Sequence, residues 1–158
     1  MSRSKQVLAE ARWQLQAAGI ETAAMDARHL LAHVMKRSLS ETPALLDIDL
    51  TSEQRSQFLA LVERRAAREP LQRLIGRWDF WSLDLRMGPG GLIPRPDSET
   101  LIEAVLEHWP LRGTPLRVLD LGTGTGCLLL AVLSEYPGAS GLGIDQAPEA
   151  VALAEANA

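Results

Sequence analysis

The sequence predicts an α/β chain in three parts. A small helical domain occupies residues 1–70, a β-hairpin linker residues 71–95, and an α/β unit residues 96–158. Three observations lead there. Apolar residues recur at helical spacing in four segments before residue 70, and they alternate between residues 75 and 87. Between residues 116 and 145 a short apolar run, a glycine-rich turn, an apolar helical run and a second short apolar run follow one another.

Taken in order, residues 4–18 carry Val7, Leu8, Ala11 and Leu15 at helical spacing and stop at Gly19. A second helix runs from about Thr22 to Lys36, with Met25, Leu30, Leu31 and Val34 as its apolar stripe. A short helix is expected around Pro43, within residues 41–46. Thr51 and Gln54 form a capping-box pattern, which opens a helix carrying Phe58, Leu59, Leu61 and Val62. That helix ends before Pro70, because a residue preceding proline avoids helical geometry. These stripes indicate a packed core and carry no chemistry.

From Leu71 the pattern changes. Ile75 to Trp81 and then Leu83, Leu85 and Met87 suit two strands of a hairpin turning near Ser82. Gly88-Pro89-Gly90-Gly91 reads as a flexible break. Asp97 or Ser98 can cap a helix with Leu101, Ile102, Val105 and Leu106, which Trp109-Pro110 ends.

The glycine-rich unit follows. Leu116, Val118, Leu119 and Leu121 read as a buried strand, and Gly122-Thr123-Gly124-Thr125-Gly126 as its turn. A helix runs from Cys127 to Leu133, and Pro137-Gly138 leads to a second strand that ends in Asp145. Pro148 then starts a last helix. Each part suits a nucleoside. Glycines admit a ligand close to the backbone, a helix start offers unpaired N–H groups, and Asp145 can accept both ribose hydroxyls.

Composition narrows the class. The chain of 158 residues is 46% hydrophobic and 23% charged, the balance of a globular protein. A formal charge of −4 argues against direct nucleic-acid binding by bulk electrostatics. Residues 1–70 hold ten Arg/Lys against nine Asp/Glu, so the helical domain is net +1, weak ground for an acidic partner. One cysteine excludes a disulfide framework and fits a reducing compartment. No apolar run reaches the length of a membrane span, and Met1 leads into a polar helix, so the expectation is a cytoplasmic protein. His29 and His33 stand four apart on one helix, the spacing of a two-histidine metal site. Asp26 is the one carboxylate within a turn of them, so a surface or partly buried pair is expected and no metal site is assigned.

The glycine spacing selects the nucleotide. A dinucleotide-binding turn reads G-x-G-x-x-G. Counting from Gly122 and Gly124, its third glycine should fall at 127, which is Cys127; the glycine is Gly126. The pattern is instead D-x-G-x-G-x-G, with Asp120 two residues before Gly122. This form is typical of S-adenosylmethionine (SAM) methyltransferases. Asp120 suits the cationic amino-acid moiety of SAM, and Asp145 its ribose. Cys127 stands where a helix N-terminus can lower a thiol pKa; with no base nearby in sequence, a small buried filler is expected.

Four further features resemble the HemK/PrmC protein-(glutamine-N5) methyltransferases, which modify class I peptide chain release factors. They are Pro70-Leu71-Gln72 followed by Gly76; Phe80-Trp81-Ser82; Leu92-Ile93-Pro94-Arg95-Pro96-Asp97-Ser98-Glu99; and Asp120 through the glycine turn, with Gly143-Ile144-Asp145. The third is the most specific, although Ser98 stands where the family usually has Thr. The resemblance covers nearly the whole chain. It implies that residues 96–158 begin a class I SAM-methyltransferase, Rossmann-like fold. It also implies that Gly122, Thr123, Gly124, Thr125, Gly126 and Asp145 contact SAM, that Arg95, Pro96 and Asp97 lie at the active-site mouth, and that the N-terminal helices dock the release factor.

The family's catalytic Asn-Pro-Pro-Tyr is missing. The chain has no Pro-Pro pair, and its single asparagine is Asn157. In that motif the Asn side chain and a backbone carbonyl hold the two N–H bonds of the substrate amide and aim its nitrogen at the methyl. Two parallel strands also do not make a stable sheet. The expectation is the N-terminal portion of a longer enzyme, cut after the second strand and its following helix, with no catalytic residue in this chain. Two alternatives stand beside it: a non-catalytic SAM- or partner-binding module, and a related SAM methyltransferase acting on nucleic acid or another protein.

Overall fold

A computed structural model of the chain describes residues 4–158, apart from the Pro96 side chain. The expected polar lead-in at Met1 lies outside the described residues. The chain is mixed helix and sheet and divides into two compact units between Ile75 and Gly76.

The first unit is helical: α1 (Ser4–Ala17), α2 (Ala23–Met35), α3 (Thr42–Leu45), α4 (Ser52–Ala66) and α5 (Leu71–Ile75). In α1, Val7, Ala11 and Leu15 are buried, as their spacing requires. The helix stops where Gly19 takes φ 72°, with Gly19 N–H bonded to Gln16 O and Ile20 N–H to Leu15 O, each at 3.0 Å. This paired ending uses a left-handed residue, which glycine adopts without a Cβ penalty. The capping box opens α4 as read: Gln54 N–H donates to Thr51 Oγ1 at 3.1 Å and Thr51 N–H to Gln54 Oε1 at 3.0 Å. Phe58 and Val62 of α4 and Leu30 and Leu31 of α2 are fully buried, and the two helices pack together. Beside them, Arg65 Nε donates to Asp26 Oδ2 at 2.7 Å with both side chains largely removed from solvent. Two readings change here. Met25 faces out, 48% exposed, and does not join the α2 stripe. Leu71–Ile75 is helical, because Arg73 and Leu74 N–H bond back to Pro70 O and bury Leu71 and Leu74.

The second unit opens with the hairpin of β1 (Arg77–Phe80) and β2 (Leu83–Arg86), antiparallel with Phe80 opposite Leu83. Trp81 and Ser82 form the turn with φ of 50° and 64°, the left-handed pair that matches the twist of the strands. Trp81 is fixed there by its indole N–H, which donates to Glu135 Oε1 at 2.7 Å. The hairpin is part of the unit's core: Phe80, Leu85 and Met87 pack with Ile102, Ala131, Val132 and Tyr136. Next come α6 (Glu99–His108), β3 (Arg117–Leu121), α7 (Cys127–Glu135), β4 (Ser140–Ile144) and α8 (Pro148–Asn157). Strands β3 and β4 pair in parallel, with Asp120 opposite Gly143 and Leu121 opposite Ile144.

Three expectations change in this unit, the first two for a packing reason. The β3 strand is not buried throughout. The α7 helix covers one face of the two-stranded sheet, which leaves Leu119, Leu121, Leu142 and Ile144 exposed on the other, Leu121 by 73%. The Gly88-Pro89-Gly90-Gly91 segment is no flexible break. A Cβ on Gly90 would lie 2.8 Å from Ala150 N, and one on Gly91 would lie 2.7 Å from Thr125 Cγ2, so these glycines permit close packing. Finally, Ser98 precedes α6 without a side-chain cap bond; the local bond is Thr100 Oγ1 donating to Asp97 O at 2.6 Å.

Three stability outcomes follow, all measured by urea unfolding. Gly90→Ala forces a Cβ against backbone at a positive φ and should cost about 2 kcal/mol. Gly113→Ala, with open space around it, should stay within about 0.5 kcal/mol of the parent. Arg65→Met leaves the Asp26 carboxylate buried without its partner and should cost about 3 kcal/mol.

Candidate functional site

The candidate site is built at the C-terminal ends of the two parallel strands. After β3 the chain turns through Gly122, Gly124 and Gly126, at φ of 80°, 57° and 79°. These are left-handed conformations that side chains resist. Gly122 and Thr123 N–H both bond to Ile144 O, at 2.7 and 3.0 Å, so the turn is tied to the end of β4. Gly126 caps α7, and Gly126 N–H donates to Thr123 O at 2.8 Å.

Asp145 holds this turn. Its Oδ2 accepts Gly124 N–H at 2.9 Å and its Oδ1 accepts Ala147 N–H at 3.0 Å. The backbone donors of Ala147, Gly124 and Gln146 hold its carboxyl below the usual carboxylate range. A carboxylate has about four acceptor sites, so two such bonds leave capacity for a pair of hydroxyl donors. Asp120, at the end of β3, accepts Thr123 Oγ1–H at 2.8 Å. Gly143 makes that possible, since a Cβ there would sit 2.7 Å from the Thr123 hydroxyl. Thr123 and Thr125 are buried and shape the turn from beneath.

The turn also has an open side. A Cβ on Gly122 would meet nothing within 4 Å, whereas one on Gly126 would press Ala154 and Leu130 at 3.3 Å. Gly126 thus serves helix packing, and Gly122 leaves room for something outside the chain. A carboxylate with spare acceptors, a second carboxylate on the neighbouring strand and a glycine facing open space fit a nucleoside with a cationic substituent.

Two neighbours escaped the sequence reading. Gly91 packs against Thr125, and Leu92 N lies 3.7 Å from the Cβ position of Gly124. The segment leading to Arg95 therefore runs along the glycine turn. Arg95 and Asp97 are exposed; the Pro96 side chain lies outside the described residues. The proline-rich run itself held no cue, because the contact is made by the residues before it. Asn157 is a second unforeseen neighbour. Its amide donates to Thr125 O at 2.9 Å and to Arg86 O at 3.2 Å while accepting Arg86 N–H at 2.7 Å, joining α8 to the turn and the hairpin.

Cys127 is half-buried, and burial pushes its thiol up, outweighing the polar contacts that would lower it. A raised thiol suits the filler role expected from the sequence. In the first unit, His29 and His33 line a cleft of about 760 Å³ with Arg37 and Arg64. Burial lowers both imidazoles, Asp26 partly opposing this at His29. Among the described residues no cluster of three or more His, Cys, Asp or Glu is placed to hold a metal ion.

Comparison with known proteins then bears on both units. Residues 6–76 match the PrmC N-terminal domain. The release factor glutamine methyltransferase of Rhodospirillum rubrum is 49% identical over 148 residues, 92% of this chain and 44% of that protein. Its namesake in Escherichia coli K12 is 46% identical over 151 residues, 96% of this chain and 53% of that protein. Similarity to proteins of this name extends over nearly all of this chain. The Cereibacter sphaeroides protein of the same name, 42% identical, matches 99% of this chain. The chain spans about half the length of these curated relatives.

The Asp145 bonds predict a pH dependence. Its folded pKa lies below the unfolded one, so the contribution is complete above the ordinary carboxylate range and is lost as pH falls through the depressed value. The Gly124 amide proton, followed by NMR during acid titration, should lose its hydrogen-bonded shift in that window. In Asp145→Asn the shift should not change with pH there.

Proposed function

We propose that the intact protein transfers a methyl group from SAM to the side-chain amide nitrogen of the glutamine in the Gly-Gly-Gln loop of class I release factors. The observation that carries this is the Asp145–Gly124 bond beside an open Gly122, in a chain whose relatives bear the name of that activity. When bound, SAM supplies an electrophilic methyl on a sulfonium. Asp145 accepts the ribose hydroxyls with its remaining lone pairs. Asp120 stabilises the cationic amino-acid part, and Gly122, Thr123, Gly124, Thr125 and Gly126 admit the nucleoside to the backbone. Arg95, Pro96 and Asp97 stand at the mouth of the site; the run of Gly91 and Leu92 beside the turn supports that placement.

In this reading residues 1–70 dock the release factor, and the β3–α7–β4 unit begins a class I SAM-methyltransferase fold of Rossmann type. The exposed Leu119, Leu121, Leu142 and Ile144 support the latter, since a parallel sheet requires cover on both faces. The amide nitrogen of glutamine is a weak nucleophile, its lone pair being delocalised into the carbonyl. Two acceptors must hold its N–H bonds and aim it, and we assign no residue of this chain to that task. No helix among the described residues is long and apolar enough to cross a membrane.

Calorimetry with SAM tests the cofactor half. Binding should be lost in Gly124→Arg and weakened by about tenfold or more in Asp145→Ala, the scale of hydrogen bonds to a charged group. Equal heats in parent and Gly124→Arg would remove the assignment. The chain by itself should transfer no methyl group from labelled SAM to a release factor; transfer would overturn the division of labour.

A further inference from the structure

The first unit carries a second, different surface. Between α1, α2 and the segment around α3 lies a groove of about 760 Å³. Its α1 wall is Lys5, Leu8, Arg12 and Trp13, one helical stripe beside the core stripe of Val7, Ala11 and Leu15. Met25, Pro43 and Leu46 complete an apolar floor. Trp13 is 75% exposed and Met25 48%. Tryptophan, methionine and arginine are the residue types enriched where protein partners bind, and methionine adapts its shape to the partner.

Charge says what fits. Lys5, Arg12 and Arg28 line the groove, no carboxylate does, and among the described residues none of the three makes a salt bridge. The histidine-lined cleft is different: its Arg37 and Arg64 are already paired with Glu41 and Glu69. Thr42 also lines the groove. It is 3% exposed, so it forms part of the groove's packed wall.

We infer that this groove docks an acidic amphipathic helix of a protein partner. The apolar face of that helix covers Leu8, Trp13, Met25 and Leu46, and its carboxylates meet Lys5, Arg12 and Arg28. This is helix-in-groove recognition, with apolar anchors inside and charges on the rim. A nucleic-acid backbone would use the three cations and leave the apolar floor uncovered. The groove lies within the residues 1–70 proposed above to dock a protein partner, but no residue of the glycine turn enters the inference, so it stands or falls apart from the SAM reading.

The test uses the ¹⁵N-labelled chain and a synthetic amphipathic peptide of about fourteen residues, long enough to form a helix. Leucine occupies one face of the peptide and glutamate the other. One control replaces the glutamates with lysine, another the leucines with serine. The acidic peptide should shift the Trp13 indole and Thr42 amide resonances, and binding should weaken as salt is raised. Arg12→Glu with Arg28→Glu should weaken it by about tenfold or more. Trp13→Ser, an exposed change that keeps the fold, should do the same, while Arg55→Glu outside the groove should leave it unchanged. Several results would overturn the inference: no shift at Trp13, equal binding of either control peptide, or shifts centred on Leu119 and Leu121. So would a Trp13 shift that grows with protein concentration alone, which assigns the groove to a second copy, or tighter binding of an oligonucleotide at the same resonances.

Discussion

The second unit depends on one carboxylate. Asp145 receives the backbone N–H groups of Gly124 and Ala147, and so joins the loop after β3 to the loop after β4. Both donors lie in irregular backbone, where no helix or strand would satisfy them. Three consecutive alternate glycines in left-handed geometry are otherwise a costly arrangement, because glycine loses more chain entropy on ordering than any other residue. A charged acceptor offsets that cost better than a neutral one. The same bonds hold Asp145 ionised, which keeps it an acceptor for hydroxyl donors.

Around this clasp the neighbouring pieces fit through what they lack. Gly141 and Gly143 have no side chains, and Leu129 and Thr123 occupy the space. Gly90 and Gly91 allow the preceding segment to lie against α8 and Thr125. Asn157, near the end of α8, closes the arrangement by bonding both the hairpin and Thr125 O. The glycine turn is thus supported from the hairpin, from α8 and from β4, and its open side is at Gly122.

The two units handle polar groups differently. Among its described residues the helical unit buries one ion pair, Arg65 with Asp26, beside an aliphatic core. It leaves a basic and apolar groove on its surface. The α/β unit instead spends its polar contacts on loops and leaves one sheet face of leucine and isoleucine uncovered. Its core lies between the hairpin, α6 and α7, where Tyr136 is fully buried with its hydroxyl on Trp109 O at 2.6 Å.

Much of this was legible in order along the chain. Local chemistry decides a capping box, a glycine stop, a proline boundary and a left-handed turn, so Thr51 with Gln54, Gly19 and the turn at Ser82 could be read directly. The D-x-G-x-G-x-G spacing likewise placed Asp120, the glycines and Asp145 in one neighbourhood, because a strand–turn–helix–strand unit brings its ends together. What the sequence could not show depends on which faces meet. An apolar residue reads the same whether or not another element covers it, so Met25, Trp13 and the leucines of β3 gave no sign of their exposure. A glycine-rich run reads as loose until the structure shows what presses on it, as α8 presses on Gly90. The sequence by itself determined the elements, the family resemblance and the position of the glycine turn between its two carboxylates. Tertiary structure alone decided which leucines stay bare, which glycines are packing devices, and where the basic groove lies, because burial and proximity belong to the packed chain and not to any segment of it.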